Sequence, residues 1–126
     1  MIYLGIDWGE KRIGLALGDG ETKIATPFCV VRDLEETLKI IKEEEIDVVV
    51  IGKPYSVSNV EHKISDKFTN FLKRLEKDSS VKVETIDERL SSKAADALVG
   101  TKKTKAARDS IAAMLILQSY LDKENL

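Results

Sequence analysis

Residues 2–18 constrain this chain more tightly than any other stretch. Ile2, Leu4, Ile6 and Trp8 alternate with Tyr3, Gly5 and Asp7, and beyond Gly9 the alternation resumes with Ile13, Leu15 and Leu17 against Arg12, Gly14, Ala16 and Gly18. A period of two belongs to extended strands with opposite faces. Two such runs joined by a short glycine-bounded turn predict a β-hairpin, with strand one over residues 2–8 and strand two over residues 12–18. Asp7 then shares a face with Tyr3 and Gly5 at the rim of strand one. Glycines and an alanine on one face of strand two permit another element to pack closely there.

The rest of the chain extends this start. Ile24 to Val31 reads as strand three, and Pro27 within it marks an edge strand, since proline cannot donate to a ladder. Asp33 with Glu36 three residues later is a capping signal for helix one, whose inner face is Leu34, Leu38 and Ile41. The run Glu43-Glu44-Glu45 reads as its solvated end. Ile46 to Ile51 is an apolar, largely β-branched run that predicts strand four, buried on both faces and paired in parallel. Residues 53–59 form a loop. Val60, Ile64, Phe68, Phe71, Leu72 and Leu75 follow at helical spacing as helix two. Val81, Val83 and Thr85 alternate with Lys82 and Glu84 in strand five, which stops at Asp87-Glu88-Arg89. Ser91 or Ser92 caps a short helix to about Leu98, Gly100 to Lys105 is a basic loop, and a last helix from near Thr104 carries Ile111, Met114, Leu115, Gln118 and Leu121. The order βββαβαβαα predicts an α/β fold: an antiparallel three-strand meander joined to two parallel strands in one mixed sheet, with helices on both faces. Strand one is central, and residues 1–126 form one domain.

Composition narrows the function classes. The formal net charge is −2, so any nucleic-acid contact has to come from a local patch. High Lys and Glu usage leans towards a thermophile. Cys29 is the sole cysteine, which leaves no internal disulfide and fits a reducing cytoplasm. No apolar run approaches the ~18 residues of a membrane span. His62 has no cysteine partners for a zinc site and no nucleophile context for a hydrolytic triad.

The chemistry-bearing residues are acids at element ends. Asp7 lies at the rim of strand one, Asp87 and Glu88 follow strand five, and Asp109 lies in the first turns of the last helix. Carboxylates gathered from such segments suit one or two hard cations, Mg²⁺ or Mn²⁺. Two cations roughly 3.5–4 Å apart can clamp the attacking and leaving oxygens of a phosphodiester. The plain reading of the same residues is a strand end and a helix N-terminus that favours negative charge. Lys11, Arg12, Arg89, Lys93, Lys102, Lys103, Lys105 and Arg108 lie close in sequence to these acids. Folded together they make a basic rim for phosphates around an acidic centre; apart, they are a solvated surface. Trp8 and Tyr55 alone give little aromatic surface for base stacking. Ala112 and Ala113 share the Asp109 side of the helix and allow close approach to the sheet, while Ser110 reads as a helix-surface residue.

Three segments resemble one family. Gly5-Ile6-Asp7-Trp8-Gly9-Glu10-Lys11-Arg12-Ile13-Gly14-Leu15-Ala16 resembles the opening motif of the YqgF/RuvX family, Asp87-Glu88-Arg89-Leu90-Ser91-Ser92-Lys93-Ala94-Ala95 its second motif, and Asp109 to Leu121 its third. The resemblance spans the chain in the right order. It implies an RNase H-like fold and a Mg²⁺- or Mn²⁺-dependent nuclease that matures pre-16S ribosomal RNA or resolves Holliday junctions. Asp7, Glu88 and Asp109 would be its metal-binding carboxylates; Arg12 and Arg89 match basic positions of the motifs. The implied partners are structured RNA, DNA junctions and ribosomal precursor particles, with the chain a monomer or weak homodimer. Two departures stand out. Gly52-Lys53-Pro54 replaces the family's Gly-Leu-Pro and leads into Ser56-Val57-Ser58-Asn59-Val60 instead of a glycine-rich loop, and Arg108 precedes Asp109. A nucleic-acid or ribosome-binding module with weak or no catalysis remains the alternative. Gly-Ile-Asp-x-Gly also resembles the phosphate-binding hairpin of sugar kinases and heat-shock ATPases, but those proteins place two such domains around a nucleotide.

Overall fold

Alternation over the first 31 residues becomes three antiparallel strands, β1 (Ile2–Asp7), β2 (Ile13–Asp19) and β3 (Ile24–Val31). They are followed by α1 (Leu34–Glu43), β4 (Val48–Lys53), α2 (Asp66–Ser79), β5 (Lys82–Asp87) and α3 (Lys105–Glu124), the last named in the order of the described elements. The structure, a computed structural model, describes residues 1–53, 66–87 and 105–124. The sheet runs β3-β2-β1-β4-β5, with β1 at its centre. β1 is antiparallel to β2 and parallel to β4, and β5 runs parallel to β4. The predicted α/β architecture, a meander joined to two parallel strands, is therefore present, and Pro27 lies in the edge strand β3, beside a shift in the register against β2.

Each strand feeds two cores. Leu4, Ile6, Ile13, Leu15, Val49 and Ile51 face α1 and α2 and pack with Leu34, Ile41, Phe68, Phe71 and Leu75. Tyr3, Ala16, Val48 and Val50 face the other way, onto Ala113, Ile116, Leu117 and Leu121 of α3. β4 is buried on both faces, as its unbroken run requires. Each fully buried Leu or Ile contributes about 1.5–3 kcal/mol relative to exposure.

The small residues of the hairpin set the depth of α3. A Cβ on Gly5 would sit 2.7 Å from the Cβ of Leu117, and one on Gly18 would sit 2.8 Å from its Cδ2. The inner stripe of α3 is accordingly Ala113, Leu117 and Leu121, four residues apart, with Ile116 beside it. Ile111, Met114 and Leu115 are only half-buried.

Several element ends differ from the sequence reading for local reasons. The helix-one cap is as expected: the Asp33 carboxylate accepts from the Glu36 amide at 2.9 Å, and Glu36 accepts in return from the Arg32 amide at 2.7 Å. β4 begins two residues after Ile46 because the Ile46 amide closes α1 on the Ile41 carbonyl at 3.0 Å. Arg12 stands just outside β2, and Trp8 just outside β1, so both leave the ladder for other work. The expected short helix from Ser91 or Ser92, and helix-two residues Val60 and Ile64, lie outside the described residues.

Candidate active site

The end of the sheet where β1 and β4 finish carries the acids. Asp7 is the last residue of β1, and its register partners are Gly14 on β2 and Gly52 on β4. Glycine on both sides leaves room around a half-buried carboxylate at the centre of the sheet. Residues directly opposite in an antiparallel pair share a face, and Gly14 lies on the α3 face: a Cβ there would collide with the backbone carbonyl of Asp109 and come 3.0 Å from the Ser110 nitrogen. Asp7 and Asp109 therefore occupy the same face at the same end of the sheet, with Gly14 between them.

Arg12 closes this corner. Its Nε donates to Asp109 Oδ2 at 2.7 Å across 97 residues of chain. The Asp109 side chain is 16% exposed and that of Arg12 39%, so the carboxylate is largely shielded while the guanidinium still reaches water. The contact uses one of the five N–H donors of a guanidinium.

The other sequence candidates divide three ways. Lys11 is exposed in the turn between β1 and β2, and Arg108 is exposed one residue before Asp109. Lys105 begins α3. Glu88, Arg89, Lys102 and Lys103 lie outside the described residues, so the second acid and most of the basic loop are not placed. Among the described residues, no group of three or more His, Cys, Asp or Glu is close enough to hold a metal ion.

Trp8 is a wall of the opposite core. Its ring meets Phe68 edge-on at 5.5 Å and Phe71 at 6.3 Å. Beside it, a cavity of about 270 Å³ is lined by Trp8, Glu10, Arg32, Lys67 and Arg74 among others. Its rim charges are engaged in part: Lys67 pairs with Glu10 at 3.0 Å and Arg74 with Glu35 at 3.0 Å.

Two features escaped the sequence reading. Ser110 is buried, 8% exposed, rather than on the helix surface. The collision that Gly14 avoids is the signal that could have found it, since a strand touching the helix backbone at that point buries the next residue. The second is a cleft of about 420 Å³ lined by Lys53, Thr85, Ile86, Ser119 and Lys123. It joins residues 70 positions apart in sequence, which no local pattern could link.

The comparisons with known proteins agree with this architecture. The sequence model of a family described as "RuvX: Holliday junction resolvase" matches residues 1–123. A protein of Natranaerobius thermophilus named "Putative pre-16S rRNA nuclease" is 33% identical, over 98% of this chain and 96% of its own length. One of the same name from Shewanella oneidensis is 36% identical, over 94% of this chain and 92% of its own length. Among solved structures, Thermus thermophilus RuvC in complex with a Holliday junction substrate superposes with a TM-score of 0.64 at 14% identity, covering 99% of this chain and 96% of that one. The fowlpox virus Holliday junction resolvase gives 0.59 at 19% identity, covering 98% and 99%. At such identities the structural likeness establishes the fold, which is RNase H-like. The match along nearly the whole sequence establishes the family: this chain belongs to the RuvX (YqgF) family.

Proposed function

We infer that this chain is a divalent-metal-dependent nuclease that hydrolyses phosphodiester bonds and trims precursor 16S ribosomal RNA. The observation that carries the reading is the shared position of Asp7 and Asp109 about Gly14. The names of the relatives supply the substrate class, and nearly full mutual coverage supports carrying it over.

The donor set fits a hard cation. Asp7 and Asp109 offer carboxylate oxygens from a rigid strand end and a buried helix, the ligand type preferred by Mg²⁺ and Mn²⁺. Glu88 is the proposed third ligand. Bound cations of this kind supply an activated water and offset charge on the departing oxygen. The chain's own residues do the rest. Asp7 and Asp109 hold the charge at a fixed point, the small residues of the hairpin keep the strand and α3 in register, and Arg12, Lys11 and Arg108 draw substrate phosphates to that point. Arg89, Lys102, Lys103 and Lys105 extend the proposed phosphate-binding set. No described helix is long and apolar enough to cross a membrane.

The test is cleavage of an RNA spanning the 5′ end of 16S ribosomal RNA, beside a four-way DNA junction, in Mg²⁺ or Mn²⁺. Metal-dependent cleavage of the RNA that disappears in Asp7→Asn supports the reading. Preferential cutting of the junction moves the substrate to DNA. Equal cleavage by both proteins overturns it, and RNA binding with no turnover in any metal makes the chain a binding module.

A further inference from the structure

The residue that pairs with Asp109 is itself a phosphate-binding candidate. Arg12 sits at the exit of the hairpin turn, one position before β2, and its Nε holds Asp109 Oδ2 at 2.7 Å. The Asp109 backbone is fixed by its contact with Gly14, so the carboxylate cannot retreat from Arg12 by moving the helix. Arg12 is the mobile partner: a long side chain, more than a third exposed, on the flank of a turn.

We propose that Arg12 is a transferable counter-ion, paired with Asp109 until a divalent cation takes that carboxylate, and then delivered to a phosphate of the substrate. This rests on the nuclease reading above. A guanidinium and a divalent cation at the same carboxylate repel one another, so each weakens the other's hold. Phosphate offers the displaced guanidinium a planar, multiply charged acceptor of matching geometry. Substrate that draws Arg12 away therefore tightens cation binding, and bound cation by the same free energy tightens substrate binding. Arg12 is in this account both a positioning residue and the element that makes the two ligands cooperative.

The experiment is Mn²⁺ titration followed by calorimetry on the full chain, without nucleic acid, for wild type, Arg12→Gln, Lys11→Gln and Asp109→Asn. Arg12→Gln is expected to bind Mn²⁺ about tenfold more tightly, within the span common for coupled sites. Lys11→Gln removes an equal charge from the same turn without touching Asp109, and is expected to match wild type. Asp109→Asn is expected to lose the site. In wild type labelled with ¹⁵N, the Arg12 Nε–H resonance is expected to move as Mg²⁺ is added, a readout that needs no variant to fold. If Asp109→Asn loses the site but Arg12→Gln binds no more tightly than wild type, and the resonance stays put, the counter-ion proposal fails and the nuclease reading stands. An equal gain in Lys11→Gln would reduce Arg12 to general electrostatics and also overturn it. If Asp109→Asn binds Mn²⁺ as wild type does, the acid site itself is wrong and both fall.

Discussion

Gly14 and Asp109 meet backbone to backbone, strand against helix, with no room for a methyl group between them. That contact fixes the height of α3 above the sheet at the point where the acids converge. Gly14→Ala has to push either β2 or α3 outward, because its neighbour is a carbonyl and not the tip of a flexible side chain. Overpacking of this kind costs about 1–3 kcal/mol. Urea denaturation is expected to show a loss at the upper end of that span. Nuclease activity is expected to fall by more than stability explains, since Asp109 moves relative to Asp7.

Glu45 presents the opposite case, a position where glycine is missing. It follows the Glu44 cap of α1 with φ of 53°, in the left-handed region. Its amide reaches the Lys42 carbonyl at 3.3 Å and the next amide reaches Ile41 at 3.0 Å, the two bonds of a Schellman ending. A side chain in that conformation costs roughly 1–2 kcal/mol, partly offset by the greater freedom of glycine when unfolded. Glu45→Gly is expected to stabilise the fold by about 0.5–1 kcal/mol, read as a rise in the urea midpoint with the slope unchanged.

Gln118 ties α3 to the start of β3. Its Oε1 accepts from the Ala25 amide at 2.9 Å, and its Nε2 donates to the Lys23 carbonyl at 2.8 Å and to Asp122 at 3.1 Å. Both backbone partners are left unsatisfied by an apolar replacement. Gln118→Leu is expected to destabilise by about 1–3 kcal/mol, and hydrogen exchange at the Ala25 amide is expected to quicken ahead of exchange in β1.

How much of this was legible beforehand follows from the range of each interaction. Strand and helix identities rest on local periodicity and capping, so β3 from Ile24 to Val31 and the Asp33–Glu36 cap were readable to the residue. The central place of β1 followed from the order of elements. Element ends were less readable: β4 started late because Ile46 was spent on closing α1. At the site, Asp7 and Asp109 were nameable from motif resemblance, and the small face of β2 announced a close neighbour. The pairing of Arg12 with Asp109, the burial of Ser110 and the juxtaposition of Lys53 with Lys123 were not readable. Each joins side chains whose meeting depends on how α3 is rotated over the sheet, and that angle is set by packing along the whole helix.

Cys29 makes stability depend on pH. It is half-buried in β3 opposite Leu15. Burial, and then the negative charges of Glu36 and Glu44, push its thiol above the ordinary range. The unfolded thiol ionises first, so above about pH 8.5 the unfolded chain binds fewer protons than the folded one. The contribution is fully present below that pH and is lost as pH rises through the folded value. Stability measured by urea is expected to decline as pH rises above about 8.5, and the decline is expected to be shallower in Cys29→Ala. Above that pH iodoacetamide is expected to alkylate the folded chain more slowly than the chain in urea. Alkylation at equal rates would place the thiol in open solvent, where neither burial nor the two glutamates could hold it protonated.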